Sequence, residues 1–251
     1  MNTASITTPL SREETIRAIE LITKEMSQKF GTKIIYKEES RLMRTIGRLT
    51  FWNKKFMTNM ITTMRGNIYV PKSYQSVVER READTRKLRS YLTVLFHEYV
   101  HIERRNKTII PGWFEFKYIT PQVYAIFGLV SLLLTPLSPW FLAGSPLLLA
   151  VLPWASKHRT EEEMKGYSVN VVCLHYVHGL PTDKIITQGF ENIFEGPSYY
   201  WMVGHPLTRK VFRGRLLTKV RQYLHECVVS VVDKQPMEHL HHVYRTLSKA
   251  K

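Results

Sequence analysis

Residues 118–156 run for 39 positions without one Asp, Glu, Lys or Arg, and Pro121, Pro136, Pro139, Pro146 and Pro153 cut that run into pieces. No other feature limits the possible folds as strongly. A helix that crosses a bilayer needs roughly 20 consecutive apolar residues. The longest proline-free piece, 122–135, has 14 residues and the later piece 147–152 has six. Pieces this short predict a re-entrant or interfacial helical hairpin, with burial inside protein as the alternative. Both flanks are basic, with Arg104, Arg105, Lys107 and Lys117 before and Lys157 and Arg159 after. The positive-inside rule places both flanks on the cytoplasmic side.

The rest of the chain reads as helices with a few short strands. Ser11-Arg12-Glu13-Glu14 has the form of a capping box. Ile16, Ile19, Ile22, Met26 and Phe30 follow at helical spacing up to Gly31, which predicts an amphipathic helix over 12–30. Strands are expected at 33–37, 45–51 and 66–70. A long helix is expected over 78–105, with Leu88, Tyr91, Leu92, Leu95, Tyr99 and Ile102 along one side. Further helices are expected at 158–178 and 215–232. The whole is read as one α+β domain, 1–251, with an apolar hairpin at 118–156 and a basic helical extension at 179–251. Hydrophobic residues make up 44% of the chain, enough for a core and too many for wholesale disorder. Two cysteines cannot build a disulfide framework, and Cys173 is expected to be buried as a small apolar group. The polar start, 1–10, predicts no secretory signal peptide.

Chemistry is concentrated at His97-Glu98-Tyr99-Val100-His101, a His-Glu-x-x-His motif on the long helix. Positions i and i+4 share a helix face, so two imidazoles one turn apart can hold one zinc ion. Glu98 is then placed to act as general base toward a water that zinc has made acidic. A third ligand is required. It is not the metzincin histidine, because Lys107 stands at that position and Arg104 replaces the accompanying glycine. The candidates are Glu161, Glu162 and Glu163. The helix face through Glu163 carries Gly166, Tyr167, Asn170, Val171 and Leu174 and suits packing inward. The face through Glu162 carries Lys165, which prefers water, and the Glu161 face is mixed. Glu163 is therefore the first choice and Glu162 the second. If Glu163 shares an ion with His97 and His101, both ends of the apolar segment lie on one side of any membrane. A single crossing is then excluded.

His97-Glu98-x-x-His101 with a distant helical Glu163 resembles the gluzincin type of zincin metallopeptidase. An apolar insertion between the two ligand helices resembles the membrane-embedded zinc peptidases of the CAAX-processing type. Glu163-Met164-Lys165-Gly166-Tyr167 after an apolar hairpin is also similar to metallopeptidase-like proteins of tailed bacteriophages. The resemblance covers about 66–178. It implies a zincin-like fold, an active-site helix beside a small sheet, and zinc-dependent endopeptidase activity on a protein or peptide substrate at a membrane surface. Gluzincins often carry an acid four residues after the ligand glutamate. Here that position is Tyr167, so orientation of the ligand must come from elsewhere, with Asn170 the candidate.

Downstream, Tyr199, Tyr200 and His205 are candidate oxyanion-stabilising groups, although aromatic packing explains the tyrosines as well. His175 and His178 read as helix-surface residues, and His239, His241 and His242 as part of a solvated tail. Arg209 to Arg221 holds six basic residues interleaved with Phe212, Leu216, Leu217 and Val220. With a net charge of +15, this suits anionic lipid or nucleic-acid phosphate. Two rival functions follow: a nucleic-acid-associated zinc protease, and a non-catalytic membrane or virion component with a structural zinc.

Overall fold

The computed structural model describes residues 9–49, 55–110, 112–120, 122–151, 156–179 and 241–250, together with Gln222, Tyr223 and Glu226. It is mostly helical with one small sheet.

Helix α1 (Arg12–Phe30) starts at the expected capping box. Ser11 accepts from the Glu14 amide, the Glu14 side chain accepts from the Ser11 amide, and Gly31 closes the helix at φ 67°. The sheet follows as β1 (Ile34–Tyr36), β2 (Thr62–Met64) and β3 (Asn67–Val70), in the order β1-β3-β2. β1 runs parallel and β2 antiparallel to the central β3, whose Ile68, Tyr69 and Val70 are buried. Arg65 (φ 52°) and Gly66 (φ 77°) make the β2–β3 turn. Positive φ at both central residues is what a tight two-residue hairpin turn demands.

One expected strand is absent. The described part of 45–51 belongs to a helix, α2 (Arg41–Leu49), followed by α3 (Lys55–Thr58). The physical reason lies just upstream. The Ser40 hydroxyl accepts from the Met43 amide, a helix-starting bond, and it places Met43 in the interior. The long helix also begins later than its periodicity suggests. A 3-10 turn (Lys72–Tyr74) and α4 (Gln75–Val78) precede it. Arg80, at φ 60°, breaks the helical path. Asp84 then caps α5 (Thr85–Asn106) through the Arg86 amide.

Helix α5 is the centre of the core. Leu88, Tyr91, Leu92, Leu95, Phe96, Tyr99, Val100 and Ile102 are all buried on it. α1 and α8 (Lys157–Tyr176) pack along it. The C-terminal α9 (His241–Ala250) lies on α1. This corrects the expected solvated tail: Val243 and Ala250 are wholly buried, and His242 stacks on Tyr99 with ring centroids 4.1 Å apart. A polar clasp joins the three helices. The Tyr99 hydroxyl donates to Glu25 at 2.8 Å, and Arg245 donates to the same carboxylate at 2.5 Å. Cys173 is fully buried, as expected.

Between α5 and α8 the chain forms α6 (Trp113–Ile119), α7 (Tyr124–Leu134) and a long 3-10 segment, Pro139–Val151. α7 and the 3-10 segment pack on each other. They approach closely at Gly128, where a Cβ would stand 2.6 Å from the Leu148 backbone nitrogen. Their outer surface is apolar and open: Phe127 is 57% exposed, Leu133 69%, Leu137 78% and Trp140 87%. Among the described residues no single helix is long and apolar enough to cross a membrane. α6 and α7 together have that length and composition but bend by 84°.

Lys37, beside the end of β1, is a fully buried cation. It has no solvent exposure, and its ammonium donates to the Phe56 carbonyl at 2.7 Å and the Thr62 hydroxyl at 2.8 Å. Burial pushes its pKa down to about 8, against the opposing charges of Glu98 and Glu38. A depressed lysine is a cost of folding that is full below the folded pKa and fades as pH rises to the unfolded value of about 10.5. Wild type should therefore gain on Lys37→Met by about 2–3 kcal/mol between pH 7.5 and 10.5. Urea unfolding of both proteins across that range checks it; a constant difference contradicts it.

Candidate metal centre

His97 and His101 lie one turn apart on the buried face of α5, with 7% and 6% exposure. Their Nε2 atoms are 3.0 Å apart. Across from them, α8 presents Glu163, 2% exposed. Its Oε2 is 3.5 Å from His97 Nε2 and its Oε1 is 3.7 Å from His101 Nε2. The three residues offer ligand atoms close enough together to hold a metal ion, and all three are buried.

The choice among the three glutamates has a structural basis. Glu162 is committed to Arg104 of α5, with two hydrogen bonds of 2.9 and 3.1 Å, and it also faces Lys165 at 3.6 Å. A guanidinium fork of this kind is a strong, directional partner. Glu161 is half-buried and faces His158 at 3.9 Å. On the Glu163 face, Gly166, Tyr167 and Val171 are buried, as the helical spacing predicts.

Local packing shapes the site to the imidazoles. A Cβ on Gly166 would fall 2.5–2.8 Å from three atoms of the His97 ring. Glycine at this position is what lets α8 approach the ligand helix. Tyr167 meets the His97 ring edge-on at 5.0 Å, and Tyr118 meets His101 edge-on at 6.2 Å. The Arg104–Glu162 pair and an Arg105–Glu115 pair at 2.7 Å tie α5 to α8 and α6 on either side.

The electrostatics are those of three groups sharing too little water. Burial pushes His97 down, but the facing Glu163, Glu98 and Asn170 outweigh it and leave its pKa raised. Burial and the neighbouring His97 hold His101 below its usual value, and Glu163 only partly offsets them. Burial pushes the Glu163 carboxyl up, yet the two imidazoles and the Tyr118 hydroxyl hold it far below the ordinary carboxylate range. Two rings this close cannot both carry a charge cheaply. The metal-free cluster therefore favours one imidazolium against one carboxylate.

Glu98 is also buried, at 8% exposure, and it acts electrostatically on His97, His101 and Lys37. The structure thus gathers His97, His101 and Glu163 and sets Glu98 beside them. Asn170 acts on His97, while Glu163 is held by Tyr118, whose hydroxyl donates to Oε1. Sequence reasoning missed Tyr118. It lies 45 positions before Glu163, and no spacing rule joins the two; the only hint is a polar aromatic opening an apolar run. His178 lies beyond the end of α8, 3.5 Å from Thr93, away from the ligands. Tyr199, Tyr200, His205, His239 and the basic run 209–221 fall outside the described residues.

The chain matches no family model, no curated protein and no solved structure.

Gly166→Ala should force the His97 ring aside. Metal affinity should fall at least about tenfold, and the metal-free protein should lose about 1–3 kcal/mol through overpacking. Chelator-competition titration and urea unfolding measure the two effects separately.

Proposed function

We propose that this chain is a zinc-dependent hydrolase of zincin-like type that cleaves peptide bonds at a membrane surface. The observation that carries the proposal is the convergence of two imidazoles and one carboxylate with a second buried carboxylate, Glu98, next to the first ligand. The donor set is the one zinc takes at hydrolytic sites, two histidines and a glutamate with a fourth position left open. The spacing supports zinc as well. Ligand atoms at tetrahedral positions with bonds of 2.0–2.1 Å lie about 3.3–3.4 Å apart; the two imidazole Nε2 atoms are 3.0 Å apart and Glu163 Oε2 is 3.5 Å from that of His97.

His97, His101 and Glu163 would hold the ion. Zinc supplies Lewis acidity, polarising a carbonyl and making water a nucleophile near neutral pH. Glu98 accepts the proton of the attacking water on its carboxylate as the new C–O bond forms. It then returns that proton to the amide nitrogen as the C–N bond breaks, so two peptides leave and Glu98 is restored.

The membrane part of the proposal is supported by the apolar outer face of α7 and the 3-10 segment. Exposed contiguous apolar surface on this scale marks an interaction site. Its flanking residues include Lys117, 5.1 Å from the Trp113 ring, a cation–aromatic pairing suited to the headgroup level. The catalytic face would then lie on the cytoplasmic side, where both basic flanks are expected.

Glu98→Gln should keep about one zinc per chain and lower peptide-bond hydrolysis by at least about 100-fold, measured on a fluorescent peptide library with a chelator control. Equal turnover in the variant refutes the mechanism. Flotation with phosphatidylserine-containing vesicles should carry wild type upward, and Leu133→Glu/Trp140→Glu should not float. A wild type that never floats refutes the membrane location.

A further inference from the structure

The two oxygens of Glu163 have different surroundings. Oε1 accepts the Tyr118 hydroxyl. Oε2 is buried, accepts no hydrogen bond among the described residues, and faces His97 Nε2 at 3.5 Å. A free carboxylate can offer an ion one oxygen or both. We infer that Tyr118 is a positioning residue that makes Glu163 a one-oxygen ligand, occupying Oε1 and leaving Oε2 to the ion. The inference rests on the metal reading above and deepens it. A carboxylate confined to one oxygen leaves a coordination position open, which a hydrolytic ion needs and a structural one does not.

Tyr118 is built to do this. Its ring is held by the edge contact with His101 at 6.2 Å and by Phe114, stacked at 6.2 Å with 27° between planes. Arg159, buried at 5% exposure, holds it from the third side. The Arg159 guanidinium lies 5.4 Å from the ring centroid, its Nε donates to the Tyr118 carbonyl at 3.1 Å, and its Nη2 donates to Gln122 at 3.0 Å. Because Arg159 and Glu163 are one turn apart on α8, the same helix supplies the ligand and the clamp on the residue that orients it.

The test uses the full chain stripped of metal. Wild type and Tyr118→Phe are titrated with zinc against a competing chelator, and with cobalt(II) while the visible spectrum is recorded. Tyr118→Phe removes one oxygen and keeps every ring contact, so its metal-free unfolding temperature should stay within a few degrees of wild type. Its zinc affinity should fall about 10–100-fold. Its cobalt bands should weaken as Oε1, now released, joins the coordination sphere. A purely packing role for Tyr118 would move neither affinity nor spectrum, and unchanged values of both overturn the inference. Should Tyr118→Phe fail to fold, Arg159→Lys decides. It keeps the buried charge but loses the grip on the Tyr118 carbonyl, and it should show the same cobalt change; an unaltered spectrum there overturns the inference too. A wild type that takes up no zinc or cobalt refutes the metal reading itself, a result distinct from either variant's behaviour.

Discussion

A carboxylate with 2% exposure sits between two helices, and most of what is distinctive about this structure follows from that. Isolated burial of such a charge costs several kcal/mol even after relaxation. Glu163 escapes that cost only because α5 delivers two imidazoles and α6 delivers a hydroxyl to the same point. The packing of α5, α6 and α8 is therefore constrained by polar convergence as much as by apolar fit. The two lateral ion pairs, Arg104–Glu162 and Arg105–Glu115, hold the same three helices at the rim. In the metal-free chain the compensation is incomplete, since one imidazole must remain neutral beside another that is charged. A divalent ion held by the cluster would supply the missing positive charge to all three side chains at once. Any binding free energy then adds to the stability of the α5–α8 pair by mass action.

The elements that were legible in the sequence are those set by local rules. The capping box at Ser11, the His-Glu-x-x-His spacing, and the inward face through Glu163 and Gly166 all depend on residues within a few turns of one another. Glu163 rather than Glu162 faces the histidines, because Lys165 marks the Glu162 face as one that seeks charge or water, and Arg104 and Lys165 meet it there. Where partners are distant in sequence, the reading failed. The 45–51 segment is strand-like in composition, but its described part lies in the helix that Ser40 starts, and among the described residues no strand pairs with it. β2 was overlooked because Thr62–Met64 becomes a strand only by pairing with β3. His242 reads as solvated in a His-bearing tail, and it is buried because Tyr99, more than 140 positions away, offers a flat ring to stack on. Tyr118 and Lys37 belong to the same class, as their roles exist only once the helices have docked.

α6 has a position of its own in this arrangement. One side of this seven-residue helix carries Phe114 and Tyr118 toward the ligands. Trp113 and Ile119 are exposed, at 41% and 45%, and lead into the open apolar face of α7. A surface that binds the apolar face would press on the same short helix that orients Glu163. The bend of 84° between α6 and α7 makes that geometry natural.

The proposed hydrolytic site accounts for features that a purely structural one would not need. Structural zinc sites are closed by four protein ligands, usually cysteine-rich, and here the donors brought together among the described residues are two histidines and one carboxylate. Two further features weaken the fold unless they serve chemistry. Glu98 is a second buried carboxylate that acts on the same two imidazoles as Glu163, and burying a second charge raises the cost of folding. Gly166 sits in a helix interior, where glycine costs roughly 1 kcal/mol relative to alanine, and its only evident return is room for the His97 ring. A staple would do better with an apolar residue at 98 and a broader separation of the helices. A site that must hold an ion, keep one position open and place a base beside it has reason to accept both costs.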